Sequence, residues 1–125
     1  MCQMHYVFMY RNHWCIAFDL MEANLCVRLS QTGSHPSGGY VGFTEQQVVN
    51  TTQQLLQGLH FLHMNNIVHG DITPANILLD SNGVVRLADF GSSLPLSIKR
   101  YSYIPCVTAL NYRPPEGLVH ARGKP

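Results

Sequence analysis

His69-Gly70-Asp71-Ile72-Thr73-Pro74-Ala75-Asn76 is the stretch around which the chain is organised, and Asp89-Phe90-Gly91 answers it thirteen residues past Asn76. An Asp, an Asn five residues on and a second Asp opening a D-F-G turn are the parts of a phosphoryl-transfer centre. Asp71 supplies a carboxylate able to receive the proton of an attacking hydroxyl. Asn76 and Asp89 supply the oxygen ligands that a hard Mg²⁺ ion prefers beside phosphates. Taken singly, each has a plainer reading, as a turn or capping residue. All three in register make the chemical reading the stronger one.

The segment between Asn76 and Asp89 explains how distant ligands meet. Asn76 to Leu79 and Val84 to Ala88 read as short strands, and the Asp80-Ser81-Asn82-Gly83 link carries the Asn-Gly hairpin signal. A hairpin there brings its open ends, Asn76 and Asp89, side by side.

Upstream, Thr44 and Gln47 form a capping-box pattern that opens a helix over Glu45 to Met64. Val48, Thr52, Leu55, Leu59 and Leu62 recur at helical spacing, widened by Val49 and Leu56, and predict the hydrophobic spine. Gly58 weakens that helix by about 1 kcal/mol against Ala and marks a place for close packing. His60 and His63 lack a local third ligand and read as helix-surface residues. Tyr6 to Tyr10 and Trp14 to Phe18 read as a hairpin around Arg11-Asn12-His13, expected to need further sheet partners before Met1. A short helix is expected over Leu20 to Leu29, and Ser30 to Gly42 is a loop. From Ser92 to Pro125, five of the seven prolines and no long periodicity suggest a mobile loop and its anchor, without a second amphipathic helix.

The chain has 125 residues, 46% hydrophobic and 12% charged, with net charge +1, enough for one small domain. The scattered charge gives no footprint for nucleic acid. Cys2, Cys15, Cys26 and Cys106 show neither metal-site spacing nor a disulfide framework. Polar interruptions at His5 and Arg11 to His13 exclude a signal peptide or membrane span near the N-terminus. An intracellular protein, cytoplasmic or nuclear, is expected.

His69 to Asn76 resembles the catalytic loop of eukaryotic protein kinases, and Asp89-Phe90-Gly91 resembles their metal-binding turn. Tyr112-Arg113-Pro114-Pro115-Glu116 is similar to the end of their activation segment. Tyr10 to Leu25, Asp89 to Ser93 and Tyr101-Ser102-Tyr103 look like the dual-specificity tyrosine-regulated and homeodomain-interacting kinases. The resemblance implies an α+β kinase-like fold, with residues 1–19 as the end of a small lobe and hinge and 20–125 as a large-lobe portion. It implies ATP and Mg²⁺ as cofactors and a protein substrate, with oligomeric state open. By the same match Phe18 is the gatekeeper, Asp19, Leu20 and Met21 present backbone groups to adenine, and Leu78 and Ala88 form the lower wall. Asp71, Thr73 and Asn76 are catalytic, while Asn76 and Asp89 hold metal. Tyr103 is the autophosphorylated tyrosine, accompanied by Tyr101, and Thr108 and Glu116 complete the activation segment. Tyr101 and Tyr103 also have a plainer reading as aromatic loop contacts.

Two positions depart from the common loop. Thr73 stands where such kinases carry a Lys on the transferred phosphate, and Gly70 where an Arg is common. Neither a Gly-rich phosphate loop nor a Lys before Lys99 occurs. A partial kinase domain, inactive as an isolated chain, is the resulting expectation. The alternatives are a pseudokinase or binding remnant, and a small-molecule phosphotransferase whose loop also reads His-Gly-Asp.

Overall fold

The computed structural model describes residues 1–31, 43–96 and 109–120. In chain order they form β1 (Met4–Tyr10), β2 (His13–Phe18), β3 (Ala23–Asn24), α1 (Leu25–Gln31), α2 (Glu45–Met64), β4 (Ile67–Val68), β5 (Ile77–Leu79), β6 (Val85–Leu87), β7 (Leu94–Pro95) and α3 (Pro115–His120). Short 3₁₀ turns sit at Pro74–Asn76, Phe90–Ser92 and Leu110–Tyr112. The mixed α+β character matches the expectation.

β1 and β2 pair antiparallel, with Tyr10 opposite His13. The turn is therefore Arg11 and Asn12 alone, both at positive φ (47° and 61°), as a primed two-residue hairpin requires. His13 belongs to β2, and its Nδ1 donates to the Arg11 carbonyl at 2.8 Å. Every residue of β1 is exposed.

The expected helix at Leu20 begins later, at Leu25. The Glu22 N–H donates to the Leu79 carbonyl at 3.0 Å, and β3 pairs with β5, so this backbone is committed to a sheet. Asn24 then caps α1, its Oδ1 accepting from the Val27 N–H at 2.8 Å.

α2 has the expected bounds and the complete capping box. The Gln47 N–H donates to Thr44 Oγ1 at 3.2 Å, and the Thr44 N–H donates to Gln47 Oε1 at 2.9 Å. Only the second half of its apolar stripe enters the core. Leu62, Ile77 and Leu87 (1%, 4% and 2% exposed) form the centre, with Leu55, Leu59, Leu25, Ile72 and Phe90 packed around them. Val48, Val49 and Leu56 remain exposed, because β5 and β6 pack toward the C-terminal turns of the helix. Leu87 Cδ1 lies 3.5 Å from where a Cβ on Gly58 would stand, so the glycine eases the crossing of β6 without being required for it.

The β5–β6 hairpin is closed by Asp80, whose Oδ1 accepts from the Asn82 and Val84 N–H groups at 2.8 and 2.9 Å. Gly83 takes the left-handed conformation, φ +77°. Gln54 of α2 clamps the same hairpin, donating to the Gly83 carbonyl at 3.1 Å and accepting from the Val85 N–H at 3.0 Å. Gln54→Ala strips both partners at once. It should lower unfolding free energy by about 1–2 kcal/mol in urea denaturation, and an unchanged midpoint would show that water replaces the clamp.

The expected loop after Ser92 is partly ordered into sheet. Val68 pairs with Leu94 and Ile67 with Pro95, because the chain leaving the Asp89 turn runs back along β4. α3 adds a six-residue helix in the proline-rich tail, with Pro115 at its first position.

Candidate active site

The β4–β7 pairing places the start of the His69–Asn76 loop beside the exit of the Asp89 turn. His69, 2% exposed, joins the two. Its Nδ1 accepts from the Asp71 N–H at 3.3 Å, so Nε2 carries the proton and donates to the Ala88 carbonyl at 3.0 Å. Its ring meets Phe90 at 4.8 Å between centroids. Ser93 Oγ donates to the His69 carbonyl at 3.0 Å, a tie with no sequence signal. His69 is thus an orienting residue.

Gly70 has φ +83°, and a Cβ there would stand 2.4 Å from the Ser92 carbonyl oxygen. The glycine is required by the approach of the Asp89 turn.

Asp71 is held by Asn76, whose Nδ2 donates to the Asp71 carbonyl at 2.9 Å and to Oδ2 at 2.7 Å. Its other carboxylate oxygen, Oδ1, is buried with no hydrogen-bond partner. A buried acceptor left open is costly in a fold and marks a place where a substrate or ion would complete it. Because Asn76 turns its amide nitrogen to Asp71, its carboxamide oxygen is left for another partner. Thr73 heads the 3₁₀ turn and is 7% exposed.

The hairpin does bring its open ends together. The Ala88 N–H donates to the Asn76 carbonyl at 2.9 Å, and Asp89 follows immediately. Asp89 is exposed and left-handed (φ 57°), and its Oδ1 accepts from the Gly91 N–H at 3.2 Å. An Asp tolerates that conformation better than most residues, and a non-glycine residue held there is the kind of strain that functional sites hold.

The expected adenine-facing residues lie along one run. Phe18 ends β2 half-exposed, Asp19 and Met21 are half-buried, and Leu20 is 96% exposed. Leu78 and Ala88 are half-buried on the neighbouring β5–β6 unit. Tyr101, Tyr103 and Thr108 lie outside the described residues, as does the side chain of Glu116, whose backbone is in α3. A separate groove of about 400 Å³ between α2 and the β5–β6 turn is lined by Arg28, Phe43, Gln47, Gln54 and Asn82, and includes none of the catalytic-loop residues. Among the described residues no cluster of His, Cys, Asp and Glu forms a further metal site, and no helix is long and apolar enough to cross a membrane.

Comparison with known proteins decides the family. The protein kinase domain family matches residues 1–125. The chain belongs to the protein kinase family. It is 37% identical over 111 residues to cyclin-dependent kinase 9-A of Xenopus laevis, covering 86% of this chain and 28% of that protein. The same figures hold for cyclin-dependent kinase 9 of Homo sapiens. A solved chain of the yeast RNA Pol II CTD kinase CTDK-1 complex superposes with a TM-score of 0.79 at 28% identity, covering 94% of this chain and 36% of that one. The fold is accordingly protein-kinase-like, spanning small-lobe sheet and part of the helical large lobe. The chain spans under a third of these curated relatives, 28%.

These relatives correct the narrower resemblance. The chain resembles the cyclin-dependent kinases, not the dual-specificity tyrosine-regulated or homeodomain-interacting kinases. The narrower resemblance rested on short matches within Tyr10 to Leu25, Asp89 to Ser93 and Tyr101 to Tyr103, whereas the alignment weighs 111 residues. Family membership implies use of ATP and Mg²⁺.

Proposed function

We propose that the chain carries the catalytic loop and metal-binding turn of a cyclin-dependent-kinase-like enzyme that moves the γ-phosphoryl group of ATP to serine or threonine hydroxyls of proteins. The observation that carries this reading is the Asp71 carboxylate, with one oxygen tied to Asn76 and the other buried and open. A carboxylate so held can orient an acceptor hydroxyl and take its proton. Asn76 and Asp89 would hold magnesium, since both present oxygen donors from the two adjoining ends of the β5–β6 hairpin. When bound, the ion neutralises charge on the phosphates. Asp19 to Met21 would meet adenine through backbone groups beside Phe18, with Leu78 and Ala88 below. Thr73 supplies a hydroxyl and no cation where a phosphate-facing Lys is usual, which predicts a slower transfer step. Tyr101, Tyr103, Thr108 and Glu116 would belong to the activation segment. The small lobe and hinge are assigned to residues 1–19, the large-lobe portion to 20–125, and the compartment is intracellular.

The test is a chimera in which the aligned 111 residues replace their counterparts in human cyclin-dependent kinase 9. Transfer of labelled γ-phosphate to serine and threonine peptides is the expected result. A folded chimera that binds Mg·ATP and transfers nothing would instead make this segment a silent binding module.

A further inference from the structure

The side chain of Asp19 does something other than face a ligand. Its Oδ1 accepts from His5 Nε2 at 2.8 Å, and its Oδ2 lies 3.6 Å from Arg86 Nη2. Both oxygens are therefore engaged, one from β1 and one from β6. Arg86 also donates through Nη1 to the Met1 carbonyl at 3.3 Å, and the adjacent Cys2 N–H donates to the Leu87 carbonyl at 3.0 Å.

Arg86 occupies the middle of β6, opposite Leu78 of β5 and two residues before Ala88. The arginine thus stands on the unit that carries the lower wall of the proposed nucleotide site, while its guanidinium reaches the first residue of the hinge. Just past the hinge, the Glu22 N–H donates to the Leu79 carbonyl at 3.0 Å and β3 pairs with β5, which ties the far end of the segment to the floor. Between these two anchors Leu20 is almost fully exposed and makes no packing of its own. The spacing of hinge from floor therefore depends on its two ends.

We infer that Arg86 is a positioning residue of the nucleotide site, acting through Asp19 to set the distance between the hinge at Asp19–Met21 and the floor at Leu78 and Ala88. This rests on the reading that the hinge takes adenine. The pair is about a third exposed on each side (32% and 29%), so its effect is modest and weakens with salt.

Arg86→Met, which keeps much of the stem and removes the charge, tests it on the full chain by amide hydrogen exchange and by titration with a fluorescent Mg·ATP analogue. The expected result is exchange at Leu20 and Met21 faster by about fivefold, with Leu55 to Leu62 unchanged, and nucleotide affinity weaker by about fivefold. Arg86→Lys should restore most of both. Unchanged hinge exchange in Arg86→Met overturns the inference, and so does faster exchange spread equally into α2. A wild-type chain that binds no Mg·ATP overturns the adenine reading itself, while the exchange comparison still decides whether Arg86 sets the hinge.

Discussion

Asp71→Asn should lower phosphate transfer by the chimera about 10³-fold while leaving its affinity for Mg·ATP within about threefold. Asn keeps the shape of the side chain and one carbonyl-type oxygen, so the 2.7 Å bond from Asn76 Nδ2 survives. What it loses is the ability to take a proton at the buried, unpartnered Oδ1. The effect should therefore fall on kcat and not on KM, measured as initial rates against ATP concentration at saturating peptide. Asn76→Ala differs in kind, since it frees Oδ2 as well and removes a proposed metal ligand. That variant should need more magnesium for half-maximal rate. If Asp71→Asn keeps more than about a tenth of the wild-type rate, the proton goes elsewhere and the assignment of Asp71 is wrong.

The parts of this fold that could be read from sequence are those enforced locally. Thr44 and Gln47 cap α2 because the two side chains and two amides of one turn satisfy each other, whatever else is near. Asn82-Gly83 turns the β5–β6 hairpin for the same reason, and through it the meeting of Asn76 with the residue before Asp89 could be foreseen. What failed was decided by partners distant in sequence. Leu20 to Asn24 has helical spacing, but Leu79 and Leu78 claim its backbone for a sheet. Val48 and Leu56 continue the stripe of α2, yet the core lies against its later turns. Arg86 and His5 carried no motif, because their value lies in reaching Asp19 from two separate strands. Within the site, residue types pointed to the roles proposed for Asp71, Asn76 and Asp89, while the buried open oxygen on Asp71 emerged only from the packing around it.

Gly70→Arg, which would bring the loop closer to the commoner pattern, should destabilise the fold by about 3 kcal/mol or more. Two costs combine. At φ +83° any side chain pays roughly 1–2 kcal/mol for the left-handed backbone. In addition, a Cβ would stand 2.4 Å from the Ser92 carbonyl oxygen, a backbone atom that cannot swing aside as a side-chain tip does. Relief requires moving Ser92, and with it Ser93, whose hydroxyl holds the His69 carbonyl at 3.0 Å. His69 in turn sets both the Asp71 amide and the Ala88 carbonyl, so the displacement reaches both acidic residues. Gly70→Ala separates the contributions, since it has the same Cβ and backbone penalty without charge or length. The two variants should lose similar stability in urea denaturation, showing that the first carbon accounts for most of the cost. If Arg were tolerated while Ala was not, the guanidinium would have found a compensating partner, and Gly70 would be a lost ion-pair position instead of a steric requirement.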